Sequence, residues 1–222
     1  MLLLSPAVFA SGGTLSGTVE FTGKVPALKA LDRSSDPVCS VKAFNDEAVV
    51  VGSGAGKNGK GLENVVIRLD DVAPGAPGPK TPVSVAQSEC MYRPRVQVAR
   101  EGQGIEVKNT DPTLHNVHAY AGKKGLFNVA QPPSAPTIAK MPPAGTDVVR
   151  LKCDVHPWMT GWVVYAKNPY FAVSRPDGTF SIAGVPPGKY TVRAWHESLG
   201  TQAQSVTVAE GETARMTFTF HP

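Results

Sequence analysis

Between Cys153 and Met159 the chain reads CDVHPWM, which sets a thiol, an imidazole and a thioether at i, i+3 and i+6. A loop turning after a strand end can bring all three toward one point, and all three are transition-metal ligands. A fourth ligand has to come from elsewhere. Upstream, VKNTDPTLHNVHAY carries His115 and His118. Three residues apart on an extended strand, they point to opposite faces, so only one of them supplies a second imidazole. Two imidazoles, a thiolate and a weak thioether form the donor set of a mononuclear blue-copper electron-transfer centre; the sulfurs suit Cu(I) and the imidazoles Cu(II). Zinc fits less well, because a thioether is a poor ligand for it and closed structural zinc sites normally use two or more cysteines.

Three cysteines, Cys39, Cys90 and Cys153, are an odd number. With Cys153 given to the metal, Cys39 and Cys90 remain as the candidate disulfide, a bond that persists in an oxidising compartment. The N-terminus points the same way. MLLLSPAVFA is apolar and closes on Val8-Phe9-Ala10, a pattern suited to cleavage before Ser11, so residues 1–10 read as a truncated signal peptide and the protein as periplasmic or secreted. That stretch is too short to span a bilayer, and no stable membrane insertion is expected. The net charge of +4 comes from Lys and Arg scattered singly and in pairs. Without a basic run or an aromatic ladder, nucleic acid is not an expected partner.

The elements that must position these ligands are strands. With 22 Gly and 20 Pro in 222 residues, the chain has more turn formers than a helical protein tolerates, and it reads as all-β. GTLSGTVEFTG places Leu15, Val19 and Phe21 on one face of a half-buried strand. VVVGSGAGKNGKG brushes against a phosphate-loop pattern, but Gly61 stands where a Ser or Thr must bind magnesium and no helix follows, so it is read as a hairpin turn. APGAPGPKTP, residues 73–82, cannot continue a sheet and reads as a linker or long loop. Further strands follow in PVSVAQ, RVQVAR, GIEVKNTD, HNVHAY and TDVVRLKC, and after Asn168-Pro169 turn signals recur about every ten residues, the spacing of a sandwich. In RAWHES, Trp195 and His196 alternate faces, one in the core and one at a rim.

PTLHNVHAY followed by CDVHPWM resembles the copper-binding segments of cupredoxins of the amicyanin and plastocyanin type, with the short Cys-x-x-His-x-x-Met ligand loop. The resemblance covers roughly residues 82–167. It implies a Greek-key β-sandwich over residues 80–167 holding one copper ion, Cu(I) or Cu(II), on His115, Cys153, His156 and an axial Met159, with His118 a neighbour of the site. It also implies that Trp158 lies in an apolar patch around an exposed edge of His156, where a redox partner docks. A dehydrogenase or a cytochrome would be that partner, as in a methylamine-utilisation-type exported protein. Cys39 and Cys90 have no counterpart in that group.

The C-terminal PDGTFSIAGVPPGKYTVRAW resembles carboxypeptidase regulatory-like domains, small transthyretin-like or Ig-like sandwiches. Their usual opening GTV strand is absent before Tyr170 but present at Gly17-Thr18-Val19. Residues 12–72 and 169–222 then form one discontinuous sandwich with the copper domain inserted; in the alternative, the N-terminal strands extend the copper domain's sheet and the tail stands in series. The function expected is an exported one-electron carrier. Two rivals are a periplasmic copper-handling protein and a non-redox binding module. An enzyme is not expected: GxSxG and HExxH are absent, and a saturated site leaves no position for substrate.

Overall fold

The computed structural model describes residues 12–54, 56–72 and 78–222. The expected signal peptide and residues 73–77 of the proline-rich loop lie outside the described residues. Among the described residues the regular elements are strands, apart from one short 3-10 turn at Cys39–Val41, and no helix is long and apolar enough to cross a membrane.

The N-terminal strands are β1 (Gly13–Phe21), β2 (Val51–Ser53), β3 (Lys60–Leu62) and β4 (Val66–Leu69). The middle of the chain supplies β5 (Val83–Ser88), β6 (Met91–Arg93), β7 (Val96–Arg100), β8 (Ile105–Asn109), β9 (His115–Ala121), β10 (Lys124–Gln131), β11 (Ile138–Lys140), β12 (Val148–Lys152) and β13 (Thr160–Ala166). The C-terminal strands are β14 (Phe171–Val173), β15 (Thr179–Val185), β16 (Gly188–His196), β17 (Gly200–Val208) and β18 (Thr213–Phe220).

The middle strands form two sheets, ordered β10-β9-β12-β13-β7 and β11-β8-β5-β6. Alternation drives their packing: on β12 Val149 and Leu151 are buried, and with Val85, Val107, Val117 and Val163 they fill one core that also contains Cys153 and Met159. The remaining strands form a second sandwich from both ends of the chain. One of its sheets runs β15-β1-β3-β2 with β18 parallel to β1, and the other runs β14-β4-β16-β17. Leu15, Val19 and Phe21 all point into its core beside Ile67, Val192 and Phe218. The glycine-rich stretch turns β2 back onto β3, closed by the Gly54 amide on the Gly59 carbonyl at 2.9 Å.

At the junction of the sandwiches Val66, Val96 and Val164 are buried with Trp162 and Trp195 packed beside them. Arg95 is held bidentately by Glu197 at 2.6 and 2.9 Å, and the Trp162 indole donates to the same carboxylate at 2.8 Å. His196 lies in the core of its own sandwich rather than at a site. Its Nδ1 accepts from the amides of Ser198 and Leu199, and Trp195 is the residue that faces the junction.

The long connection from β1 to β2 matters most for the candidate metal ligands. It folds back on itself through the Ala30–Asn45 bridge and the Leu31 amide on Phe44. Its tip carries Cys39, disulfide-bonded to Cys90 in the β5–β6 turn. A loop rooted in the second sandwich is thereby tied down over the first.

Candidate metal centre

His115 opens β9 and Cys153 directly follows β12, its neighbour in the sheet, with His118 opposite Lys152 in register. Side chains alternate along β9, so His115 points into the core and is fully buried, while His118 lies on the outer face. The loop after β12 closes tightly: the Met159 amide donates to the His156 carbonyl at 2.9 Å, and the Cys153 amide to the Met159 carbonyl at 3.4 Å. That turn brings His156 back beside Cys153. The donor atoms of His115, Cys153 and His156 all lie within 4.8 Å of one another. Met159 is fully buried in the same core cluster as Cys153.

Further bonds hold the ligand strands in register. The Tyr92 hydroxyl shares its one proton between the Asn116 carbonyl at 2.8 Å and the Lys152 carbonyl at 3.0 Å, one residue from His115 and from Cys153 respectively. Burial pushes the Tyr92 hydroxyl's pKa well up, so it stays a donor. The Asn116 amide points at the Cys153 sulfur at 3.5 Å, and the Asn116 side chain binds Asp154. His118 lies nearby but turns away, bonded to Asp154 at 2.9 Å and stacked on Tyr120.

The two inner imidazoles face each other, Nδ1 to Nδ1, at 2.9 Å. Their outer nitrogens each meet a carboxylate: His115 Nε2 lies 2.9 Å from Asp111 Oδ2, and His156 Nε2 3.1 Å from Asp36 Oδ2. An ionised carboxylate only accepts hydrogen bonds, so both Nε2 atoms must carry a proton. Both Nδ1 lone pairs are then aimed at the same point, beside a buried sulfur. Only a shared cation, a proton or a metal ion, satisfies that arrangement. Burial opposes protonation of His115, but the bond to Asp111 and the neighbouring Cys153 sulfur outweigh it and push its pKa up. Burial and the facing charge of His115 push that of His156 down. Burial also disfavours the charge on Asp36, yet the Thr113 hydroxyl, the Cys39 and Val38 amides and His156 bring its pKa down to about 2.

One expectation needs correction. His156 does not present an exposed edge; it is 4% accessible. The physical reason is the disulfide, which draws residues 36–39 over the ring, with Cys39 Sγ 3.8 Å from Nε2. Trp158 sits beside His156, ring centres 5.0 Å apart, but its indole donates to the Cys90 carbonyl and Arg33 lies over its face. It therefore packs beneath the covering loop rather than around an open imidazole. Asp36 and Asp111, which no metal motif flagged, are the residues a sequence reading misses. Each precedes a proline, and Asp-Pro reads simply as a turn.

Residues 159–221 match the carboxypeptidase regulatory-like domain family. That match begins at Met159, within the loop that carries Cys153 and His156, and the N-terminal strands β1 to β4 that complete the sandwich lie outside it. Among solved structures the chain is similar to a purple cupredoxin from Nitrosopumilus maritimus, at 19% identity over 37% of this chain and 98% of that one, with a TM-score of 0.32. It is similar to the reduced state of an amicyanin variant, at 21% identity over 47% of this chain and all of that one, TM-score 0.33. A copper-containing nitrite reductase from Thermus scotoductus SA-01 aligns at 18% identity over 38% of this chain and 22% of the reductase, TM-score 0.32. No curated protein matches. Residues 159–221 match the regulatory-like family, and the chemistry of the centre stands on its own geometry.

Proposed function

We propose that the protein is an exported one-electron carrier in which His115 Nδ1, His156 Nδ1 and the Cys153 thiolate would hold a single copper ion, with Met159 as a weak fourth ligand. The observation that carries this reading is the pair of inward Nδ1 atoms at 2.9 Å beside a buried cysteine, each imidazole locked from behind by a carboxylate. Copper in such a set alternates between Cu(II) and Cu(I). The chain's own part is to hold the donors so firmly that neither state demands rearrangement. The Asn116 amide is directed at the Cys153 sulfur, and Tyr92 fixes the strands that carry His115 and Cys153 relative to each other. A disulfide suits the periplasm or the exterior of the cell, where a dehydrogenase or a cytochrome would exchange electrons with the protein.

The covered edge of His156 favours a second reading, a copper-handling protein that keeps its ion and exchanges no electrons. Reversible one-electron voltammetry of the loaded protein separates the two.

Titration of the mature chain with Cu(II), followed by visible and EPR spectroscopy, tests the proposal. An intense thiolate-to-copper charge-transfer band with narrow hyperfine splitting, saturating at one equivalent and lost in Cys153→Ser, is the expected result. Weak signals that do not saturate would overturn it.

A further inference from the structure

The structure assigns Asp36 and Asp111 as positioning residues of the metal centre, each fixing one histidine from behind, with the Cys39–Cys90 disulfide as the clasp that keeps both in place. This inference rests on the copper reading above and adds to it a means of tuning and retaining the ion.

Neither carboxylate is free to swing. Asp36 Oδ1 accepts the Val38 and Cys39 amides at 2.8 and 3.1 Å, and Oδ2 accepts the Thr113 hydroxyl at 2.7 Å beside His156. Asp111 Oδ1 accepts the Glu89 amide and Oδ2 the Cys90 amide, both at 2.8 Å, beside His115. Glu89 and Cys90 form the two-residue β5–β6 turn and both have φ of 55°, a conformation uncommon for residues with a side chain. That conformation aims successive amides at one carboxylate. Both acids also lie at the ends of the disulfide: Asp36 bonds the amide of Cys39, and Asp111 bonds the amide of Cys90. The clasp and the two buttresses are one unit.

The two acids reach the site by different routes. Asp111 precedes His115 by four residues and travels with the ligand strand, whereas Asp36 comes from the β1–β2 connection, 120 residues from His156. Among the described residues the disulfide is the covalent tie between that connection and the ligand sandwich. If it is cut, the loop holding Asp36 in place is retained only by bonds such as those of Arg33 to the Glu89 and Lys42 carbonyls. A carboxylate behind a ligating histidine fixes its tautomer and raises its basicity, which strengthens binding of the more charged ion. Two such pairs therefore favour Cu(II) over Cu(I), and the closed loop slows the escape of either.

Three full-chain variants, Asp36→Asn, Asp111→Asn and the double Cys39→Ser/Cys90→Ser, test the assignment. Each Asp→Asn change keeps the shape but removes the charge. It is expected to retain one copper and to raise the Cu(I) preference roughly tenfold, about 59 mV upward for a one-electron couple. The double cysteine variant is expected to keep the spectrum at saturation while losing copper to a chelator at least tenfold faster. A readout without copper accompanies these: in the metal-free protein the Nε2 protons of both histidines are expected to be protected from solvent exchange in NMR spectra, and Asp36→Ala is expected to expose that of His156 but not that of His115. Unmoved potentials and unchanged release in well-loaded variants would overturn the assignment, as would rapid exchange of both Nε2 protons in the wild type. Protected Nε2 protons in a wild type that takes up no copper would uphold the buttresses and remove the copper reading instead.

Discussion

Buried imidazoles in a face-to-face pair are costly unless something shared lies between them, because each lone pair is desolvated and meets another. At this centre the arrangement is enforced from outside, by carboxylates that can only accept. In the proposed copper set the fourth ligand is a separate matter, since a thioether adds little binding energy but alters the balance between the two copper states. Met159→Leu, which conserves volume in a fully buried position, should therefore keep one equivalent of copper and its charge-transfer band while moving the reduction potential. Loss of all copper binding in a folded Met159→Leu protein would count against an axial role.

Elements set how closely the backbone can pack. β1 is the central strand of its sheet, with β15 on one side and the parallel β18 on the other. Gly17 sits where a Cβ would come within 2.0 Å of the Met216 carbonyl oxygen and 2.9 Å of Phe180. Gly17→Ala has to push two strands apart, and overpacking of this kind is expected to cost about 1–3 kcal/mol in urea unfolding. Gly125→Ala, on β10 with nothing within 4 Å of the added Cβ, provides the comparison and should be close to neutral. Equal effects of the two changes would show that β18 does not run against β1 as described. The same sheet roots the β1–β2 connection, so its order bears on how well Asp36 is presented to the metal centre.

Across the whole molecule, the two sandwiches share a junction with a buried ion pair between Arg95 and Glu197, side chains 7% and 5% exposed. Breaking such a pair strands a buried charge, so the junction resists sliding. Beside it His196 is almost fully buried, and burial together with the Arg95 charge pushes its pKa down to about 4. The unfolded chain, with an ordinary histidine pKa near 6.5, binds the proton more tightly than the folded one. Stability is then full above pH 6.5 and falls as the pH drops toward 4, by on the order of 3 kcal/mol for this group. Unfolding midpoints measured between pH 7.5 and 4.5 should show this decline, and His196→Gln should flatten it. A His196→Gln protein with an unchanged slope would assign the acid sensitivity elsewhere.

The all-β class was legible from the amino acids alone, because turn residues and period-2 alternation are local properties; Leu15, Val19 and Phe21 share a face for the same reason that they are buried. The thiol and imidazoles of CDVHPWM and LHNVH that the fold brings together were equally readable as candidates, and cysteine parity singled out the pair that the structure joins by a disulfide. What the tertiary structure decided was the environment of those ligands. Whether His156 is open to a partner depends on a segment 120 residues away and on where a disulfide pulls it. No pattern around His156 encodes that. Asp36 and Asp111 look like ordinary turn acids until the fold sets them behind two histidines. Ligand identity is carried by single side chains, whereas solvent access and the orientation of an imidazole arise only when distant parts of the chain close over one another.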